Sequence, residues 1–168
     1  MGEKKQITLY SDGACSINPG RGGYGAILKY KNHEKVITGS FLFTTNNRME
    51  LLGVIEPLEA LRESCRVEVF SDSQYVVHAF NKGWLKSWIK NSWKKTNRKP
   101  VLNIDLWKRF MPLLEKHDLH FNWVRGHNDH PENERCDQIA VKACFNSSSL
   151  EDKGYKPPKK KKPKDLFS

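Results

Sequence analysis

The sequence predicts an α/β fold in which a mixed five-stranded sheet is flanked by helices. Three observations carry this. Three apolar strand patterns follow one another directly at the N-terminal end, two further short strands are each separated by helical stretches, and the helical stretches show apolar residues at three- and four-residue spacing. Consecutive strands joined by short loops make an antiparallel meander. Strands reached across helices join parallel to their neighbour.

Strands are expected over 7–10, 24–30 and 36–43, the first two joined by a loop rich in Gly and Asn-Pro. Met49, Leu51, Leu52, Ile55, Leu58 and Leu61 then recur on a helical period, behind N-cap candidates in Thr45-Asn46-Asn47. Pro57 falls inside this helix, where it removes one hydrogen bond and crowds the Gly53 carbonyl, so a bend between Gly53 and Pro57 is expected. A strand over 67–70 and a short helix over 73–80 follow. The stretch 84–99 interleaves Trp with Lys and ends at Pro100. A helix over 101–116, a strand over 119–124 and a helix over 133–143 complete the domain, taken as residues 1–145. Ser, Pro and Lys dominate residues 146–168, read as a flexible basic tail.

Composition narrows the function classes. The 168 residues carry 29 Lys and Arg against 19 Asp and Glu, a net charge of +10. Six lysines against Asp165 give the last 13 residues +5 of that, so the folded body is itself basic, which suits a polyanion such as nucleic acid. No apolar run is long enough to span a membrane, and the polar Met1 to Gln6 leave no room for a signal peptide. Gly2 lacks the Ser or Thr at position 6 that myristoylation uses. Cys15, Cys65, Cys136 and Cys144 form no CxxC pair and read as reduced thiols. A cytoplasmic, monomeric protein without a membrane partner is expected.

The acids are the most informative residues. Ser11-Asp12 and Ser71-Asp72 each end an apolar strand, at the carboxyl edge where α/β sheets place ligands. Glu50 and Asp137 stand in the first turns of the first and last long helices. Each has a plain alternative: an Asx turn for Asp12, a helix cap for Asp72, dipole stabilisation for Glu50 and Asp137. Four acids can converge only beside a cation, and oxygen ligands select Mg2+ or Mn2+, the usual partners of phosphate. Acids holding metal inside a basic body suit phosphodiester chemistry.

Tyr10-Ser11-Asp12-Gly13-Ala14 with Asn18-Pro19-Gly20, the run from Thr44 to Leu51, Ser71-Asp72-Ser73-Gln74-Tyr75-Val76, and Trp123-Val124-Arg125-Gly126-His127 with the run from His130 to Asp137 closely resemble the bacterial type I ribonuclease H family. The match runs in order from about Gln6 to Phe145. The resemblance implies a ribonuclease H-like fold and an endonuclease that cuts the RNA strand of RNA/DNA hybrids to 5′-phosphate and 3′-hydroxyl ends. It makes Asp12, Glu50, Asp72 and Asp137 the ligands of two Mg2+ ions, with Mn2+ as a substitute. It makes His127 a proton shuttle or an aid to product release. It places Cys15, Asn18, Asn46 and Gln74 near the minor groove, with Thr45 and Asn46 near a DNA phosphate. Cys15 as a buried structural thiol stays open as an alternative. Trp84, Lys86, Lys90, Lys94 and Lys95 would grip the DNA strand from a protruding handle, with Trp84 and Trp88 partly packed against Trp107.

Other readings are weaker. His127, His130 and Cys136 offer no fourth ligand at zinc spacing. Gly20, Gly22 and Gly25 spell GxGxxG but precede a strand, so they are expected to shape a turn beside the substrate rather than hold a dinucleotide. The Pro-Pro-Lys run has the look of a nuclear localisation signal, against a solvated tail adding nonspecific affinity. A noncatalytic hybrid-binding module on the same fold is the alternative function, and a pure binder has no reason to keep acids beside phosphates. An integrase-like strand-transfer enzyme shares fold and metal chemistry but lacks the His127 to Asp137 block and the basic handle.

Overall fold

The computed structural model describes residues 2–126, 130–146 and 149–158. Strands β1 (Lys5–Cys15), β2 (Gly20–Tyr30) and β3 (His33–Thr44) form the meander, and β4 (Cys65–Ser71) and β5 (Asp118–Trp123) extend it, giving the order β3-β2-β1-β4-β5. β1 is the hinge of the topology: antiparallel to β2, with Asp12 opposite Gly25, and parallel to β4, with Leu9 opposite Val69. β5 pairs parallel to β4. The expected mixed five-stranded sheet is the one observed.

Helix α1 (Asn46–Ala60) lies on one face, with Met49, Leu51, Val54, Ile55 and Leu58 fully buried. The Thr45 side chain caps it by accepting from the Arg48 amide at 3.3 Å. The helix runs without interruption through the buried Pro57, so the feature expected to mark a bend does not end the element. α2 (Gln74–Asn81), α3 (Trp84–Lys90) and α4 (Ile104–Lys116) follow, and α5 (Pro131–Cys144) covers β1 and β2 from the opposite face.

Three expectations are corrected. The glycines of 20–25 lie within β2 rather than in a substrate-facing turn. A Cβ at Gly23 would stand 2.5 Å from the Ala143 Cβ and one at Gly25 2.6 Å from the Cys136 carbonyl, so these positions let α5 seat on the strand. The Trp-Lys stretch is helical only to Lys90, since Ser92, Trp93 and Arg98 take positive φ angles that no helix admits, and α4 begins three residues later than expected.

The folded body also continues past Phe145. Leu150 pairs with the outer edge of β3, its carbonyl accepting from the Leu42 amide at 2.8 Å and its amide donating to the Ser40 carbonyl at 2.9 Å. Asp152 then accepts from Arg48 Nε at 2.8 Å and from Thr44 Oγ1 at 2.7 Å, and the Tyr155 ring lies 5.6 Å from Phe43. Residues 159–168, the last ten of the tail, lie outside the described residues.

Beneath the handle, Trp88 meets Trp107 edge-on at 5.3 Å, and Trp107 stacks on Phe110 at 5.6 Å. The expected Trp88–Trp107 contact is thus present, whereas Trp84 lies 38% exposed against His78. Among the described residues no helix is long and apolar enough to cross a membrane.

Candidate active site

The topology brings three of the predicted acids together. Asp12 sits on the central strand β1, Asp72 directly follows the neighbouring parallel strand β4, and Glu50 comes from the second turn of α1. Each offers a carboxylate oxygen within 4.8 Å of those of the other two. The approach of α1 to β1 is possible because residue 13 is glycine: a Cβ there would stand 2.5 Å from the Glu50 amide nitrogen. The Gly13 amide donates to Asp12 Oδ1 at 2.9 Å and fixes its orientation.

This cluster is electrostatically expensive. Burial, then the charges of Asp72 and Asp137, push the Asp12 carboxyl up to about 8. Glu50 is driven well above the usual carboxylate range by burial and by Asp12 and Asp72. Glu50 Oε2 is buried and has no hydrogen-bond partner among the described residues. Desolvated carboxylates and an orphaned oxygen facing one point fit a hard divalent cation, which would supply the missing partner and favour the ionised forms.

Asp137 stands in the second turn of α5, half-buried, and is close enough to raise Asp12 by its charge, but lies outside the three-acid cluster. His127 lies outside the described residues. Gly126, its neighbour, is described, and a Cβ on it would stand 3.0 Å from Asp72 Oδ2.

The predicted substrate residues fall into two groups. Asn18 Oδ1 accepts from the Asn46 amide at 3.2 Å, so Asn18, Thr45 and Asn46 form one unit at the start of α1. Cys15 ends β1, half-buried, its thiol pushed up to about 12 by burial, then by Cys144 and Glu50. It is a neutral thiol beside the acids rather than a nucleophile. Gln74 opens α2 and is exposed. On the handle, Trp84, Lys86, Lys90, Lys94 and Lys95 are exposed, while Leu85 is buried and anchors α3 to the core.

Sequence reasoning missed Arg48. This cation is 1% exposed and donates to both Asp105 oxygens, Nη1 to Oδ1 at 2.8 Å and Nη2 to Oδ2 at 2.7 Å, as well as to Asp152. A lone Arg among apolar residues of α1 was the only signal available.

The chain is similar to known proteins over most of its length. The chain is 57% identical to the ribonuclease H of Desulforamulus reducens over 140 residues, covering 83% of this chain and 88% of that one. It is 51% identical to the ribonuclease H of Proteus mirabilis over 151 residues, 90% of this chain and 94% of that one. Among solved structures it resembles that of LC9-RNase H1, a type 1 RNase H with the type 2 active-site motif, with a TM-score of 0.76 at 28% identity, covering 86% of this chain and 74% of that one. The RNase H family model matches residues 4–145, from the start of the meander to the end of α5, and the chain belongs to the ribonuclease H family.

Proposed function

We propose that the protein is an endonuclease hydrolysing the RNA strand of RNA/DNA hybrids to 5′-phosphate and 3′-hydroxyl ends. The observation that carries this reading is the convergence of Asp12, Glu50 and Asp72, from three elements, within 4.8 Å of one another in a basic family member. Asp12, Glu50, Asp72 and Asp137 would hold two Mg2+ ions, with Mn2+ as a substitute. Bound there, the metal supplies an activated water and stabilises the leaving 3′-oxygen.

The chain's own residues do the rest. The Gly13 amide keeps Asp12 aimed into the site, and the wall of α1 keeps bulk water from Glu50. Thr45 and Asn46 seat a DNA phosphate at the start of α1, where the helix dipole favours an anion. Cys15, Asn18, Asn46 and Gln74 face the minor groove, whose 2′-hydroxyls distinguish RNA. Trp84, Lys86, Lys90, Lys94 and Lys95 hold the DNA strand from the handle. His127 moves a proton at the leaving oxygen or eases product release. One chain supplies both the acids and the grips, so the reading has it act as a monomer, in the cytoplasm.

The test is incubation with labelled RNA/DNA hybrid, RNA/RNA and DNA/DNA in Mg2+ or EDTA. Cleavage of the RNA strand of the hybrid alone, in Mg2+ alone, is the expected result. Binding of the hybrid without cleavage in Mg2+ would refute the catalytic reading.

A further inference from the structure

A groove of about 780 Å3 runs between the start of α1, the segment leading into α4 and the C-terminal residues beyond Leu150. Asn18, Thr45 and Lys156 all line it. The C-terminal segment reaches it by a defined route. Leu150 is paired to the edge of β3, Asp152 is held by Arg48 and Thr44, and Tyr155 rests on Phe43. Asp152 is the firm point, its side chain only 6% exposed.

The charge along the groove favours an anion. Asp105 lines it, but both oxygens of Asp105 are taken up by Arg48. Lys156 is exposed and has no ion pair among the described residues. Asn18 spends its Oδ1 on the Asn46 amide, which leaves its Nδ2 donor without a partner among the described residues. An ammonium, an amide donor and the positive end of a 15-residue helix therefore share one groove.

We propose that this C-terminal strap is a further part of the hybrid-binding surface: Asp152 anchors it, and Lys156 takes a backbone phosphate of the DNA strand next to the one seated at Thr45 and Asn46. The inference rests on the reading of Thr45 and Asn46 as phosphate contacts given above. Lys156 is a binding residue, and Asp152 a positioning residue that acts through it.

The test measures binding of a labelled RNA/DNA hybrid by fluorescence anisotropy in EDTA across a range of KCl, using the full chain. Lys156→Gln should weaken binding several-fold at low salt and reduce the slope of log K against log [KCl] by about 0.9, the loss of one phosphate contact. In Mg2+ the loss of kcat/KM should fall on KM. Asp152→Asn, with folding checked by circular dichroism, should give the same reduction in slope, and adding Lys156→Gln to it should reduce the slope no further. An unchanged slope for Lys156→Gln, or a loss falling on kcat, would overturn the contact. A folded Asp152→Asn with the wild-type slope would overturn the anchor. Failure of the wild type to cut the hybrid would instead overturn the catalytic reading and leave the slope comparison intact.

Discussion

Arg48 and Asp105 form a two-pronged ion pair across 57 residues of sequence, with both guanidinium Nη atoms engaged at 2.7 and 2.8 Å, inside the wall of the active-site helix. The same guanidinium holds Asp152, so one buried cation joins α1, α4 and the C-terminal strap. Removing it strands the buried Asp152 carboxylate, which costs more than the pair's net worth. Arg48→Ala should lower the unfolding free energy by about 3–5 kcal/mol. Urea denaturation checks this; a loss below 1 kcal/mol would mean that water replaces the guanidinium without difficulty.

Gly126 matters through Asp72. A methyl group at position 126 would sit 3.0 Å from Asp72 Oδ2, tighter than ordinary contact, so the carboxylate or the loop must shift by a few tenths of an ångström. Displacements of that order are costly at a reacting centre. Gly126→Ala should reduce kcat on the hybrid on the order of tenfold while leaving binding in EDTA near that of the wild type. Unaltered kcat would show that the loop yields instead of Asp72.

Much of the fold and the acid cluster was legible in the sequence, for local reasons. Strand and helix periods are written into neighbours, as in β4, where Val67 and Val69 alternate with Glu68 and Phe70. Asp12 and Asp72 announce themselves by following apolar runs, although only Asp72 stands at the end of its strand and β1 continues past Asp12 to Cys15. What was not legible depends on distant partners. The strap rests on contacts such as Leu150 with Ser40 and Asp152 with Arg48, each about a hundred residues apart, in a segment whose composition reads as tail. The glycines of β2 read as a turn because their reason for being glycine, the seat of α5, lies some 115 residues on. The handle's shape depends on non-glycine residues in left-handed conformations, for which composition gives no signal.

His117 gives a pH dependence of stability. Its Nδ1 accepts from the Cys65 amide at 3.1 Å, so the neutral ring carries its proton on Nε2, and charging it would set a second proton against that amide. The residue is 4% exposed, and burial, then the Lys116 charge, lowers its pKa from the ordinary value. The unfolded chain therefore binds a proton first, below about pH 6.5, and stability falls as pH drops from there toward the lowered folded value. The slope approaches ~1.4 kcal/mol per pH unit at most. His117→Asn keeps an acceptor for the Cys65 amide but cannot titrate. Its urea midpoint should change less than that of the wild type between pH 7 and 5, and parallel curves would assign the effect to other groups.

Asp72→Asn separates cleavage from binding. The substitution keeps shape and hydrogen-bonding capacity but removes one of the three clustered charges, so the site loses affinity for a divalent cation and with it the positioned water. Hybrid affinity comes instead from Lys and Arg, and lowering the negative charge beside the scissile phosphate reduces repulsion, so binding should hold or tighten. Asp12→Asn should behave alike, whereas His127→Ala should cost less, within the ~10²–10⁴-fold that proton transfer supplies. The deciding measurement is cleavage and binding on one preparation of Asp72→Asn, with its fold checked by circular dichroism. Retained cleavage would falsify the ligand role of Asp72, and lost binding in a folded variant would show that Asp72 holds the hybrid itself.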